Sequence, residues 1–205
     1  EMARVSAQKK KIGVVAQSAR AAEFSQKLTR IREYMQKRAL GAVALSSQAL
    51  FAWATAGGDN HVSLASENGV ATLLVASDSV TVLSNNIENA RIANEELSEL
   101  RGTKIEYWHH PWYADSALNA ELQRRAGGRK WAADTAAAPE KLGADFIALT
   151  HTLTPQEIVR FRKLGRDCAE SLEEALEKVR PGMSEYSIAG LMAERLWDRG
   201  ARPQV

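Results

Sequence analysis

Histidine is the side chain best suited to metal binding or proton transfer, and the sequence contains four. His109 and His110 are adjacent in a stretch that favours a strand. Neighbouring strand residues point to opposite faces, so the two imidazoles cannot bind one metal ion together. Because no cysteine or carboxylate cluster accompanies them, we expect a structural or surface role. The alternative is that one of them reaches a site on a neighbouring subunit.

Two further residue types could supply chemistry. His61 follows the polar turn 57–60 and is predicted to be a loop histidine, with a place in a substrate pocket as the alternative. Cys168 is the single cysteine, which excludes an intramolecular disulfide framework and a cysteine-rich zinc module. It lies on the apolar face of a predicted helix without an evident cationic partner, so we expect a buried, unreactive thiol. The serines and glycines form neither a nucleophile elbow nor a phosphate loop.

Composition narrows the function classes. The 205 residues carry a formal net charge of +2, with 45% hydrophobic and 25% charged residues, as in an average globular domain. The basic runs 9–11 and 124–125 lack interleaved aromatic residues, so no nucleic-acid partner is predicted. No stretch approaches the roughly 20 apolar residues of a membrane span. The first 22 residues lack the apolar core of a secretory signal, and the default expectation is a cytoplasmic protein.

The elements that must position these side chains alternate between strands and helices. An N-terminal arm is predicted for residues 1–22, followed by a helix with Phe24, Leu28, Ile31 and Met35 on one face and a stop at Gly41. Further helices are predicted at 87–100 and 115–126, a small-residue loop at 46–58, and strands at 42–45, 70–75, 80–83, 105–108 and 129–133. This order predicts an α/β fold with a mixed β-sheet and flanking helices over residues 23–151.

The pattern changes after residue 150 to two helices. Thr154, Pro155 and Glu157 form a capping box that begins the first, and its apolar stripe runs to Val179. The turn 180–182 ends it, and Ser184 caps a second helix that Gly200 ends. We therefore expect residues 152–205 to form a separate two-helix segment. Its long apolar stripes need a covering surface, which favours a front portion of a longer protein.

These motifs carry a resemblance to a known family. Residues 154–158 (TPQEI), 161–164 (FRKL) and 180–185 (RPGMSE), with Gly200, resemble the entry into the catalytic domain of the pita-bread metallopeptidases. That family comprises Xaa-Pro aminopeptidases, prolidases and creatinase relatives. The resemblance implies a creatinase-type N-terminal domain at 23–151 and the first helices of a truncated catalytic domain at 152–205.

The resemblance also implies a function. A full-length member would be a homodimer that hydrolyses the peptide bond before proline with a pair of divalent metal ions, of Mn or Zn type. The two Asp, one His and two Glu that bind the metals in the family have no matching motifs in this sequence, so no residue is assigned as catalytic or metal-binding. Trp53 and His61 are expected at the rim of the substrate pocket, Trp53 as a contact made by the partner subunit.

Two alternative functions stay open, and one spacing of aspartates resembles a metal site. The chain could be a non-catalytic binding or dimerisation module derived from this family, or part of a creatinase-like C–N hydrolase. Asp134 and Asp145 are eleven residues apart, like the family's two Asp ligands, and His151 and Glu157 follow. The stretch 136–143 between the aspartates favours a helical turn or loop rather than paired strands, so we interpret this spacing as coincidence.

Overall fold

The computed structural model describes residues 18–63, 65–135 and 138–203. The chain divides into two compact units, Glu1–Phe146 and Ile147–Val205. The predicted N-terminal arm lies outside the described residues as far as residue 17. From there on the prediction is wrong, because the first helix begins at Ala19 rather than at Glu23. The Ser18 hydroxyl caps it by accepting a hydrogen bond from the Ala21 N–H at 3.1 Å.

Within the described residues of the first unit, six strands form one mixed sheet in the order β4-β3-β2-β1-β5-β6. The β1–β2 and β2–β3 pairs are antiparallel, and the other three pairs are parallel. The strands are β1 (Ala42–Ser47), β2 (Asn68–Ala76), β3 (Val80–Asn85), β4 (Ile105–His110), β5 (Trp131–Ala133) and β6 (Glu140–Lys141). The predicted α/β fold with a mixed sheet is confirmed.

The helices flank this sheet or follow it along the chain. They are α1 (Ala19–Lys37), α2 (Gln48–Ala54), α3 (Asn89–Arg91), α4 (Asp115–Arg125), α5 (Ala144–Ile147), α6 (Pro155–Leu176) and α7 (Glu185–Asp198). None of the described helices combines the length and the apolar character that crossing a membrane requires.

Local sequence patterns account for the centre of the sheet. The apolar run 42–45 is almost completely buried, because β1 lies between β2 and β5 and is covered on both faces. The predicted hairpin is confirmed by the register of β2 and β3, in which Val75 pairs with Val80. Trp131 is buried as predicted, at 3% exposure, against the apolar face of the sheet.

Three predicted segments are wrong in detail. The stretch 136–143, interpreted as a helical turn or loop rather than paired strands, contains β6, which pairs with β5. The small-residue loop at 46–58 contains α2, which begins because the Ser47 hydroxyl accepts a hydrogen bond from Leu50 N–H. The single helix expected at 87–100 is instead α3 followed by a π-turn, Ile92–Glu96, and a 3₁₀ turn, Ser98–Leu100. Leu97 N–H donates to Ile92 O across five residues, and both side chains are fully buried. In a regular α-helix, residues five apart would point in directions about 140° apart, so the wider turn brings both onto the core.

The second unit contains the two predicted helices. The capping box is confirmed: Glu157 N–H donates to Thr154 Oγ1 at 3.1 Å, and Thr154 N–H donates to Glu157 Oε2 at 2.7 Å. Arg199 near the end of α7 forms an ion pair with Glu174 of α6 at 2.5 Å. Cys168 is half-buried, not fully buried as predicted. Many apolar side chains of these helices are exposed, namely Ile158, Val159, Phe161, Leu164, Leu172, Leu176 and Trp197.

The apolar face of α1 includes an ion pair. Glu23 and Lys27 lie one turn apart, both fully buried, with Lys27 Nζ 2.7 Å from Glu23 Oε1. Lys27 Nζ also donates to the carbonyl oxygen of Trp53 at 2.7 Å and lies 5.5 Å from the centre of the Trp53 ring. This joins α1 to the end of α2, and a buried charge held in this way becomes costly when its partner is removed.

A second ionic network joins α4 to the sheet. Glu121 accepts hydrogen bonds from Arg124 and Arg125, and Arg125 donates to Thr81 Oγ1 of β3 and to Glu106 of β4, each at 2.7 Å. The bonds from Arg124 lower the pKa of Glu121 to about 2, against partial burial, with Arg125 adding to the effect.

Lys27→Met should therefore destabilise the first unit by about 3 kcal/mol, because it leaves the Glu23 carboxylate buried without this partner. The double variant Glu23→Leu/Lys27→Met should recover about half of that loss, since no charge remains. Denaturant unfolding of both variants measures the two free energies. A double variant less stable than Lys27→Met would contradict this description of the pair.

Glu121→Gln should lower the free energy of unfolding by about 1 kcal/mol at pH 7, a value discounted for the exposure of Arg124. A carboxylate with a lowered pKa stabilises the fold above its ordinary pKa of 4.5, and this contribution disappears as the pH falls toward 2. The free energies of unfolding of the variant and of the native sequence, measured between pH 4.5 and pH 2, should therefore approach each other as the pH falls. Glu33→Gln, at an exposed position of α1, is the control and should leave the free energy of unfolding at pH 7 unchanged. A constant difference across this range would contradict the assignment.

Candidate functional site

The loop after α2 carries the most organised polar cluster near a predicted site residue. Asn60 anchors it: its side chain is fully buried and donates to the carbonyl oxygens of Ser46 at 3.2 Å and Ala71 at 2.7 Å. The backbone carbonyl oxygen of Asn60 accepts a hydrogen bond from Val70 N–H at 2.8 Å. A Cβ at Gly69 would lie 2.1 Å from Asn60 Cγ, so glycine is required there. The loop is thus fixed to the ends of β1 and β2.

His61 projects from this anchored loop with its ring oriented by Asp59. The Nδ1 atom of His61 is hydrogen-bonded to Asp59 Oδ1, which also accepts the His61 backbone N–H at 2.9 Å. The side chains of His61 and Asp59 are 17% and 43% exposed. When Nδ1 carries the proton, Nε2 is an acceptor. The pair can therefore accept or transfer one proton or orient a polar ligand.

Arg91 in α3 holds the same loop from the other side. Its guanidinium donates to the carbonyl oxygens of Asp59 and His61, at 3.3 and 3.2 Å, and to the carboxylates of Glu88 and Glu96, at 2.7 and 3.1 Å. Partial burial acts to lower the pKa of Arg91, but the bond to Glu88 and the nearby carboxylates raise it overall. The guanidinium therefore stays charged and fixes the backbone on which His61 lies.

Arg91, Glu88 and Glu96 are not evident as site residues from the sequence. Glu88 and Arg91 are three residues apart on a predicted helix, a spacing that usually marks a solvated face. Their role depends on the π-turn, which places Glu96 so that its Oε2 accepts the Asp59 N–H at 3.0 Å.

Trp53 lies in the interior of the first unit. Its side chain is 9% exposed and packs edge-on against Phe146, with the ring centres 6.2 Å apart. Its indole Nε1 is buried without a hydrogen-bond partner among the described residues. In this structure Trp53 is a core residue beside Lys27. Its role at a pocket rim in an assembled protein stays a prediction.

The adjacent histidines behave as neighbouring strand residues. His109 is exposed, whereas His110 is buried, with its ring 5.6 Å from that of Trp108 and its Nδ1 2.9 Å from the Pro111 carbonyl oxygen. The two side chains thus face different environments, as the strand geometry predicts.

The other spaced carboxylates serve local structure. Asp134 accepts hydrogen bonds from the backbone N–H groups of Ser46 and Ser47, and Asp145 pairs with Arg38. Glu157 belongs to the capping box, and His151 is exposed. Among the residues that the structure describes, no three His, Cys, Asp or Glu side chains converge as a metal site would require. The side chains present therefore do not fit a divalent metal pair.

Comparison with solved structures identifies the fold. The chain superposes on an Xaa-Pro dipeptidase from Bacillus anthracis with a TM-score of 0.63 and 12% identity, covering 86% of this chain and 49% of that one. A prolidase from Pyrococcus horikoshii gives a TM-score of 0.63 and 17% identity, over 85% and 49%. An X-prolyl aminopeptidase from Caenorhabditis elegans, described as a cytosolic enzyme with a dinuclear active site, gives 0.59 and 13%, over 84% and 31%.

At these identities the likeness shows the fold. The first unit has the α/β fold of a creatinase-type N-terminal domain, and the chain spans about half the length of the first two structures that it matches. No protein-family model matches the sequence, and no curated protein matches it.

Arg91→Met should loosen the His61 loop without unfolding the sheet, because it removes the hydrogen bonds to two loop carbonyls and keeps an apolar stem. Amide hydrogen exchange at residues 59–62 should accelerate about tenfold, as local opening becomes easier, while β1 stays protected. Arg166→Met, at an exposed arginine of α6, is the matched control and should leave the loop unchanged. Equal exchange in both variants would show that Arg91 does not hold the loop.

Proposed function

We propose that this chain is the N-terminal portion of a metal-dependent peptidase of the Xaa-Pro aminopeptidase and prolidase family, which hydrolyses the peptide bond before proline. One observation carries the proposal: about 85% of the chain has the fold of solved enzymes named for this activity, yet spans about half of each. The capped α6 and the turn 180–185 support the same family, since they match its motifs in residue type and spacing.

In this proposal the metal pair, of Mn or Zn type, binds to residues that follow the present sequence. When bound, it supplies the polarising charge and the metal-activated water for amide hydrolysis. The present chain contributes the supporting domain and the first two helices of the catalytic domain. The Asp59–His61 pair is a candidate to contact a peptide at the pocket rim.

The exposed apolar face of α6 supports a covering partner. Phe161, Leu172 and Leu176 share that face and are 58%, 48% and 57% exposed. Apolar stripes of this length are unusual on a free surface. In the proposed enzyme, the rest of the catalytic domain covers them. A homodimer in the cytoplasm is part of the proposal.

A second candidate uses the same surface differently. The exposed stripe would also suit a non-catalytic module that binds a partner or dimerises through α6 and α7. A creatinase-like hydrolase of a small C–N substrate is a further form of the first proposal, with a different substrate.

The test is hydrolysis by the full-length native protein loaded with Mn²⁺. Ala-Pro and Ala-Pro-Ala should be cleaved before proline, Ala-Ala should not, and chelation should abolish the activity. His61→Ala should lower kcat/KM by about tenfold, the size of one lost hydrogen bond to substrate. Val62→Ala, at the exposed neighbouring position, is its control and should have no effect.

Each other result has a defined meaning. Cleavage with His61→Ala equal to Val62→Ala would retain the peptidase but remove His61 from the rim. Hydrolysis of creatine alone would overturn the peptide substrate. If the protein hydrolyses none of these substrates with Mn²⁺, nor after it is loaded with Zn²⁺ instead, the enzyme proposal is overturned and the binding module remains.

A further inference from the structure

A cleft on the first unit is lined by segments other than the His61 loop. It opens between α1, the turn that joins β2 to β3, and the segment 102–104 that leads into β4, and its volume is about 290 Å³. That volume is at the lower end for ligand pockets, so the cleft suits a ligand of few atoms.

The floor of this cleft is apolar. Phe24 and Leu28 of α1 and Val80 at the start of β3 line it, at 1%, 8% and 4% exposure. These side chains are already packed in the core and expose little surface of their own, so they form a firm platform. An aliphatic group of a ligand placed on it would gain free energy mainly because its own apolar surface leaves water.

The rim carries charges of both signs. Arg32 is half-buried, and its Nε donates to the Ala76 carbonyl oxygen at 3.1 Å, which fixes the plane of the guanidinium beside the cleft. Lys104 and Asp78 are exposed at the same opening. Among the described residues, none forms an ion pair with Arg32, Lys104 or Asp78, and these three do not pair with one another.

Opposite charges that border one small cleft without neutralising each other match a ligand with two separated charges. A carboxylate suits a fixed guanidinium, because its two oxygens can accept hydrogen bonds from two N–H groups. An ammonium group would complement Asp78. A simple anion would leave both Asp78 and the apolar floor unused, and a nucleotide would exceed the volume.

We propose that this cleft binds a free α-amino acid with an aliphatic side chain. Arg32 and Lys104 receive the carboxylate, Asp78 receives the ammonium group, and the side chain lies on Phe24, Leu28 and Val80. This site goes beyond the proposed peptidase function and does not depend on it, because every residue involved lies in the first unit.

The test is calorimetric titration of the full chain with L-leucine, L-leucinamide and 4-methylpentanoate. Leucine should bind with a Kd near or below about 1 mM, and each analogue, which lacks one of the two charged groups, should bind about tenfold more weakly. Arg32→Gln and Asp78→Asn should each weaken leucine binding by about tenfold. Lys37→Gln, at an exposed position of α1 outside the cleft, should bind as the native chain does.

Arg32 is half-buried, so Arg32→Gln could lower stability as well as binding. Lys104 is exposed, so Lys104→Gln tests binding without that complication. It should also weaken leucine binding. The proposal is overturned by an absence of leucine binding, by equal binding of leucine and 4-methylpentanoate, or by native affinity in both Lys104→Gln and Asp78→Asn.

Discussion

The buried pair of Glu23 and Lys27 is the constraint around which the first unit is arranged. A lysine without solvent exposure needs a carboxylate and further hydrogen-bond acceptors, and Lys27 has both, in Glu23 and in the Trp53 carbonyl oxygen. The second bond fixes the end of α2 against α1. Because the loop with Asp59 and His61 leaves directly from α2, the position of that loop depends on a charge buried in α1.

The first turn of α1 extends the same constraint to the far side of the loop. Arg20 donates to the Thr55 carbonyl oxygen at 3.3 Å and to the Glu96 carbonyl oxygen at 2.7 Å. It therefore joins α1 both to the end of α2 and to the π-turn. The π-turn in turn supplies the Glu96 carboxylate that, with Arg91, holds Asp59 and His61. One helix thus positions the two segments between which the candidate site lies.

The parts of the fold that follow local rules could be predicted from the sequence. The apolar run of β1, the β2–β3 hairpin and the cap at Thr154 each depend on a few neighbouring residues. Glu23, Lys27 and Arg91 could not be predicted, because charged residues three or four apart on a helix usually face solvent. The π-turn could not be predicted from the sequence either, because its cause is the burial of Ile92 and Leu97 by the tertiary structure. Of the candidate site, only His61 was identified in advance, and Trp53 lies in the core.

The two units differ in how far their apolar side chains are covered. The first is packed around a closed core, whereas α6 in the second exposes a long apolar stripe. Among the described residues, no three His, Cys, Asp or Glu side chains lie close enough together to hold a metal ion. The proposal therefore assigns support and orientation to this chain, and the chemistry to residues that follow it.

The intact mass of the native protein from its source tests most directly whether this chain is the supporting part of a longer enzyme. The account predicts a mass about twice the 22.5 kDa of this chain, in line with its half-length match to the prolidases. A native mass of 22.5 kDa would contradict it, because no further residues would then exist to bind the metals or to cover the helices.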